Sequence, residues 1–139
     1  MITLVAGPPC AGKSSYVESQ REAGDLVVDF DAVMSALSGA DSHDHPEALI
    51  RYAHAARSAV VSELLRSRNV NAWVIISAPD HATRVGYVLK GVRSVVVLAN
   101  ESVCLTRAEA ERPEGWGEFI RQWFLRYEPS AWDTVVRTD

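Results

Sequence analysis

The chain has 139 residues, 47% hydrophobic and 23% charged, with a formal net charge of −4. That is enough for one domain with one core, too apolar for a disordered tail, and too acidic for a general grip on nucleic-acid backbones. The longest apolar runs, residues 73–76 and 95–98, fall far short of the roughly 20 residues that span a bilayer. Met1 leads straight into a strand pattern without a secretory leader, so a cytoplasmic location is expected. Cys10 and Cys104 are too few and too separated to suggest a disulfide framework, and no zinc-binding spacing is present.

Residues 2–6 are apolar and rich in branched side chains, which predicts a strand buried on both faces. The stretch GPPCAGKSS, residues 7–15, follows and opens a helix predicted over 12–23, closed by Gly24. Gly7, Gly12, Lys13 and Ser14 satisfy G-x-x-x-x-G-K-[ST] in the context that pattern requires, strand before and helix after. Its glycines let backbone N–H groups turn inward around phosphate oxygens, and the new helix offers its unsatisfied N–H groups and positive dipole end to the same anion. Lys13 adds a mobile charge for the outer phosphates, and the Ser14 hydroxyl can ligate Mg²⁺. The expected cradle is therefore Gly7, Pro8, Pro9, Cys10, Ala11, Gly12, Lys13, Ser14 and Ser15, with Cys10 a small filler.

A second strand is predicted over 26–29 and a short helix over 31–37, with Asp31 in a capping position. The polar loop 38–46 carries His43 and His45; two loop histidines without cysteine support are more often solvated than metal-bound. A long helix over 46–68 places Leu49, Tyr52, Ala53, Ala56, Val60 and Leu64 on one apolar stripe. Strands over 72–77, 94–98 and 134–137 alternate with helices over 82–89, 102–112 and 117–126. This alternation predicts an α/β three-layer sandwich with a five-stranded parallel sheet and right-handed crossovers. Ligands of such sheets bind at the carboxyl ends of the strands.

The loop GPPCAGKS resembles that of small P-loop kinases, and the segments after it are similar to polynucleotide-kinase-like and nucleotide-kinase-like proteins over nearly the whole chain. The resemblance implies strand order 2-3-1-4-5, a single domain over 1–139 with a lid around 100–127, and ATP and Mg²⁺ as donor and metal. It also implies transfer of the γ-phosphate to a hydroxyl, first on a nucleic acid or nucleotide, next on a small metabolite, an antibiotic-like compound or a zeta-toxin-like acceptor. An ATPase or a binding module without its own acceptor is the alternative of another class.

In similar kinases an acid after the second strand prepares the acceptor hydroxyl and a neighbouring one serves the metal. Asp31 is accordingly expected as the base and Asp29 beside the metal, with Ser14. Arg84, after the polar loop that ends the third strand, matches an arginine that touches the substrate's phosphate or the acceptor, and Asp80 is a weaker metal contact. That strand ends in Ser77 where a motor-type ATPase would carry Asp, which speaks against that class. Residues 104–113 look like an arginine-bearing lid, with Arg107 and Arg112 both candidates for the transferring phosphate. The start of the long helix lines the acceptor pocket in similar kinases, which makes Arg57, His54 and Tyr52 candidate contacts, although Tyr52 also falls on the core stripe.

Overall fold

The structure is a computed structural model, and it describes residues 1–41 and 43–139. Among the described residues five strands, β1 (Ile2–Ala6), β2 (Leu26–Asp29), β3 (Ala72–Ile75), β4 (Arg93–Leu98) and β5 (Asp133–Arg137), alternate with six helices. These are α1 (Lys13–Gln20), α2 (Phe30–Ser38), α3 (Glu47–Ser67), α4 (His81–Leu89), α5 (Glu101–Glu111) and α6 (Trp116–Arg126). All strand pairings are parallel and the order is β2-β3-β1-β4-β5, as expected.

The central position of β1 follows from its composition: all five residues are buried, and only a strand flanked on both edges and both faces needs no polar side. Side chains alternate between two layers. Val5, Val95 and Val97 join Val17, Cys104 and Ile120 from the α1, α5 and α6 side, whereas Ile2, Leu4 and Val74 join Leu64 and Val92 on the other. Each fully enclosed aliphatic side chain in these layers contributes about 1.5–3 kcal/mol of transfer free energy.

Three details differ from expectation. The cap of α2 is Asp29, whose carboxylate accepts the Asp31 N–H at 3.4 Å, so the cap lies two residues earlier, the helix starts one residue earlier at Phe30, and Asp31 is released from capping. On α3, Tyr52 is 60% and Val60 38% exposed, so neither belongs to the core stripe. This helix packs on α2 and the edge strand β2, which bury a narrower arc, and Val61 and Leu65 fill it instead. Finally, β3 stops at Ile75, because the chain turns away at Ala78, which adopts φ 37°. The stretch between stays beside β1: Ile76 donates to the Val5 carbonyl at 3.0 Å and Gly7 donates to the Ser77 carbonyl at 3.2 Å.

Candidate active site

The loop between β1 and α1 is shaped by close backbone approach. A Cβ at Gly7 would lie 2.1 Å from the Val97 carbonyl oxygen, so only glycine lets the chain cross the end of β4. Cys10 at φ 64° and Gly12 at φ 91° are left-handed, and such a reversal between ordinary conformations makes a concave row of N–H groups suited to an anion. No side chain caps α1, whose first residues Lys13, Ser14 and Ser15 line the cleft. Lys13 Nζ donates to the carbonyls of Gly7 at 2.9 Å and Pro8 at 2.8 Å, which holds the ammonium across the mouth of the cradle.

Burial lowers the Lys13 pKa to about 8, against the opposing pull of the Asp29 and Asp31 carboxylates. The ammonium is thus charged at pH 7 and neutral well above pH 8 in the empty cradle. A triphosphate favours the charged form, so binding above pH 8 must take up a proton. ATP affinity is expected to fall by up to about tenfold per pH unit above that point, with proton uptake seen by calorimetry in buffers of different ionisation enthalpy. An affinity flat to pH 10 would reject the Lys13 contact.

Facing the cradle is the acidic end of β2. Asp29 and Asp31 both line the cleft although extension ends at Asp29 and Asp31 sits in the first turn of α2. Burial and the neighbouring Asp31 charge raise the Asp29 pKa, which a cation placed beside it would reverse. Asp31 is clasped by the loop before α3: His45 Nε2 lies 2.7 Å from its Oδ1 and His43 Nε2 lies 3.9 Å from its Oδ2. A carboxylate only accepts, so Nε2 of His45 carries the proton of that bond. Among the described residues no group of three or more His, Cys, Asp or Glu is arranged to hold a metal ion. Mg²⁺ in phosphoryl-transfer sites needs only one or two protein oxygens beside phosphates and water, and Ser14 and Asp29 offer these.

The arginines divide. Arg107 is committed to structure: Nη1 donates to the Cys10 carbonyl at 3.1 Å and Nη2 to the Thr138 carbonyl at 2.8 Å, while the Thr138 hydroxyl donates to the Ala11 carbonyl at 2.7 Å. It braces the cradle while also lining the cleft. Arg112, where α5 ends, lies over the Trp116 ring at 5.6 Å, and its Nε is the one buried side-chain polar atom without a hydrogen-bond partner among the described residues. Arg112 as a residue lines the cleft. Arg57 also lines it, over the Phe30 ring at 5.4 Å and donating to His54 Nδ1 at 3.2 Å.

Arg84 is not in the site, contrary to the sequence expectation. It is wholly buried, donating from Nε to Asp133 Oδ2 at 2.9 Å and from Nη1 to the Ala78 carbonyl at 2.6 Å, with a further bond to the Glu128 carbonyl. The rotation of α4 turns this side chain toward β5 rather than the cleft. Asp80 caps α4 through the Thr83 N–H at 2.9 Å and is likewise spent away from the cradle. Sequence reasoning assigned no role to Trp116, which meets His43, His45 and Phe119 edge-on and lines, on the side of Asp31, a cleft of about 990 Å³. Its place directly after Gly115, at the start of the helix predicted from residue 117, was the available signal.

The fold these elements define is that of the small P-loop kinases. A gluconokinase from Sinorhizobium meliloti superposes with a TM-score of 0.64 at 19% identity, covering 98% of this chain and 81% of that one. The tunicamycin resistance protein of Deinococcus radiodurans does so with a TM-score of 0.57 at 17% identity over 99% and 85%. The shikimate kinase of Bacteroides thetaiotaomicron gives a TM-score of 0.59 at 15% identity over 91% and 78%. No family model matches the chain, and no curated protein matches it by sequence. Among the described residues no helix is long and apolar enough to cross a membrane.

Proposed function

We propose that this protein is a phosphotransferase that moves the γ-phosphoryl group of ATP to a hydroxyl of a small molecule. One observation carries the reading: an anion cradle with its lysine and a histidine-clasped aspartate line opposite walls of the same cleft. An ATPase or a binding module has no use for the second wall. Support for a small acceptor comes from the gluconokinase, sugar kinase and shikimate kinase among the structural neighbours. The net charge of −4 disfavours the nucleic-acid acceptor that the sequence resemblance put first.

In this reading the cradle amides and Lys13 hold and orient the triphosphate. Mg²⁺, held by Ser14 and Asp29, supplies charge neutralisation between the phosphates when bound. Asp31 accepts the hydroxyl proton: His45 occupies Oδ1, which fixes the carboxylate, and Oδ2, with His43 Nε2 no closer than 3.9 Å, takes the acceptor. Arg57, on the same wall, contacts the acceptor. Arg112, which lines the cleft, offers its guanidinium to the equatorial oxygens, where a planar cation matches the developing charge, and Arg107 keeps the cradle in shape. The segment 100–127, carrying both arginines, is the element that closes over the donor.

The test is incubation with labelled ATP, Mg²⁺ and a panel of polyols, hydroxy acids, nucleosides and 5′-hydroxyl oligonucleotides. Label on a small alcohol supports the reading, label on the oligonucleotide replaces the acceptor, and phosphate release alone makes the protein an ATPase. For the active acceptor, Asp31→Asn is expected to lower kcat about 10²-fold and leave ATP affinity in place. The loose transition state of phosphoryl transfer puts proton removal at the low end of general-base contributions. Equal losses in both would move Asp31 to the metal or the fold.

A further inference from the structure

The cleft does not end at Asp31. A second cavity of about 380 Å³ lies between the cradle, the turn after β3 and the outer face of α6, and it shares Pro9, His45, Ser77 and Trp116 with the main cleft. Its walls are largely carbon: Pro9, Pro79, Trp116, Phe119 and Trp123. The polar groups around it are mostly spent on the protein itself. Trp123 Nε1 and the Gly7 N–H both donate to the Ser77 carbonyl, at 3.1 and 3.2 Å, and Gln122 Nε2 donates to Glu118 Oε1 at 2.9 Å. Arg126 stands exposed among them. Phe119 remains 62% exposed, edge-on to Trp116 at 5.7 Å, a large aromatic surface open beside the reaction site.

We infer that this annex receives part of the acceptor, and that the acceptor is an alcohol bearing an apolar, ring-sized substituent. The inference rests on the phosphotransferase reading and names its substrate class. Three observations carry it. The annex touches the cradle only at Pro9 and none of Gly12, Lys13, Ser14 or Ser15, so it lies off the run of the donor's phosphates. His45 lines both cavities and holds Asp31, so a hydroxyl delivered to Asp31 has its substituent beside the annex mouth. Apart from the exposed Arg126, the Trp123, Ser77 and Gln122 groups are already paired and offer little to the hydroxyls of a sugar or the edges of a nucleobase, and a wall that leaves such groups unpaired rejects them. An aryl group instead covers Phe119 and stacks edge-on in the manner the annex aromatics already use.

The test uses the full chain with labelled ATP and Mg²⁺ and matched acceptors that differ in one substituent, such as 1,3-propanediol and 2-phenyl-1,3-propanediol. The aryl member is expected to show a KM at least tenfold lower, and Phe119→Arg, a change at an exposed position, to shrink that ratio toward one. Equal KM values for the pair, or a ratio that Phe119→Arg leaves unchanged, would overturn the annex. Binding of the aryl diol, followed in parallel by tryptophan fluorescence with ATP present, separates the two readings. Binding without any label transfer keeps the annex and removes the phosphotransferase, while absence of binding removes the annex whatever the turnover.

Discussion

Lys13→Ala is expected to lower phosphoryl transfer, measured as kcat/KM, by roughly 10³-fold, equivalent to about 4 kcal/mol of transition-state stabilisation. The size follows from where the ammonium sits: it is held by the Gly7 and Pro8 carbonyls at the lip of the cradle, in a pocket dry enough to bring its pKa down to about 8. A charge held ready there meets the phosphoryl oxygens without having to shed a water shell, which is what makes a fixed charge effective. The same burial predicts the sign of a second measurement. A lysine whose folded pKa lies below its unfolded one costs the fold stability while both states are charged, below pH 8, and ceases to do so as pH rises past the unfolded value. At pH 7 the alanine variant is therefore expected to hold or raise its Tm, less the two carbonyl bonds it gives up. Activity lost together with a Tm drop of several degrees would make Lys13 a structural strut and take the donor assignment with it.

The two sides of this site were unequally visible in the sequence. The cradle is continuous in the chain, so its glycines, lysine and flanking strand could be read directly, and the parallel sheet could be read from strands apolar on both faces. The rest of the site, including the brace of the cradle, is assembled from distant segments. His45 reaches Asp31 across 14 positions and Thr138 reaches Ala11 across 127, and no local pattern encodes either pairing. Asp29 and Asp31 were legible as a pair, but which one would cap α2 depended on where extension stopped, a matter of one residue. The two arginines of the expected lid were indistinguishable by spacing and are distinguished by partners alone: Arg107 donates to the Cys10 and Thr138 carbonyls, and Arg112 Nε has no partner. Two aromatic residues on α6 show the same limit. Trp123 and Phe119 lie four positions apart on one helix, yet one is 4% exposed and the other 62%: Trp123 packs with Ala6 and Val96 of the sheet, whereas Phe119 meets the Trp116 ring at the surface.

Arg84 is the residue for which sequence and structure disagree most, and Arg84→Met is expected to cost stability rather than chemistry. Its guanidinium and the Asp133 carboxylate are 0% and 1% exposed, Ser94 Oγ donates to the second carboxylate oxygen at 2.6 Å, and Tyr127 lies under the guanidinium at 5.5 Å. Through these contacts one side chain joins α4, β5, the turn at Ala78 and the segment after α6. Removing one partner of a buried ion pair leaves the other charge without compensation, which costs about 3–5 kcal/mol. For a chain of this size that corresponds to a Tm lower by roughly 10–20 °C. At a temperature where the variant stays folded, transfer is expected to persist, since Arg84 does not line the cleft. Adding Asp133→Leu should return only part of the loss, because the carbonyls of Ala78, Asp80 and Glu128 still lack their donor. A variant with unchanged Tm and abolished transfer would restore the substrate contact that the sequence suggested, and would require α4 to rotate its arginine into the cleft during turnover.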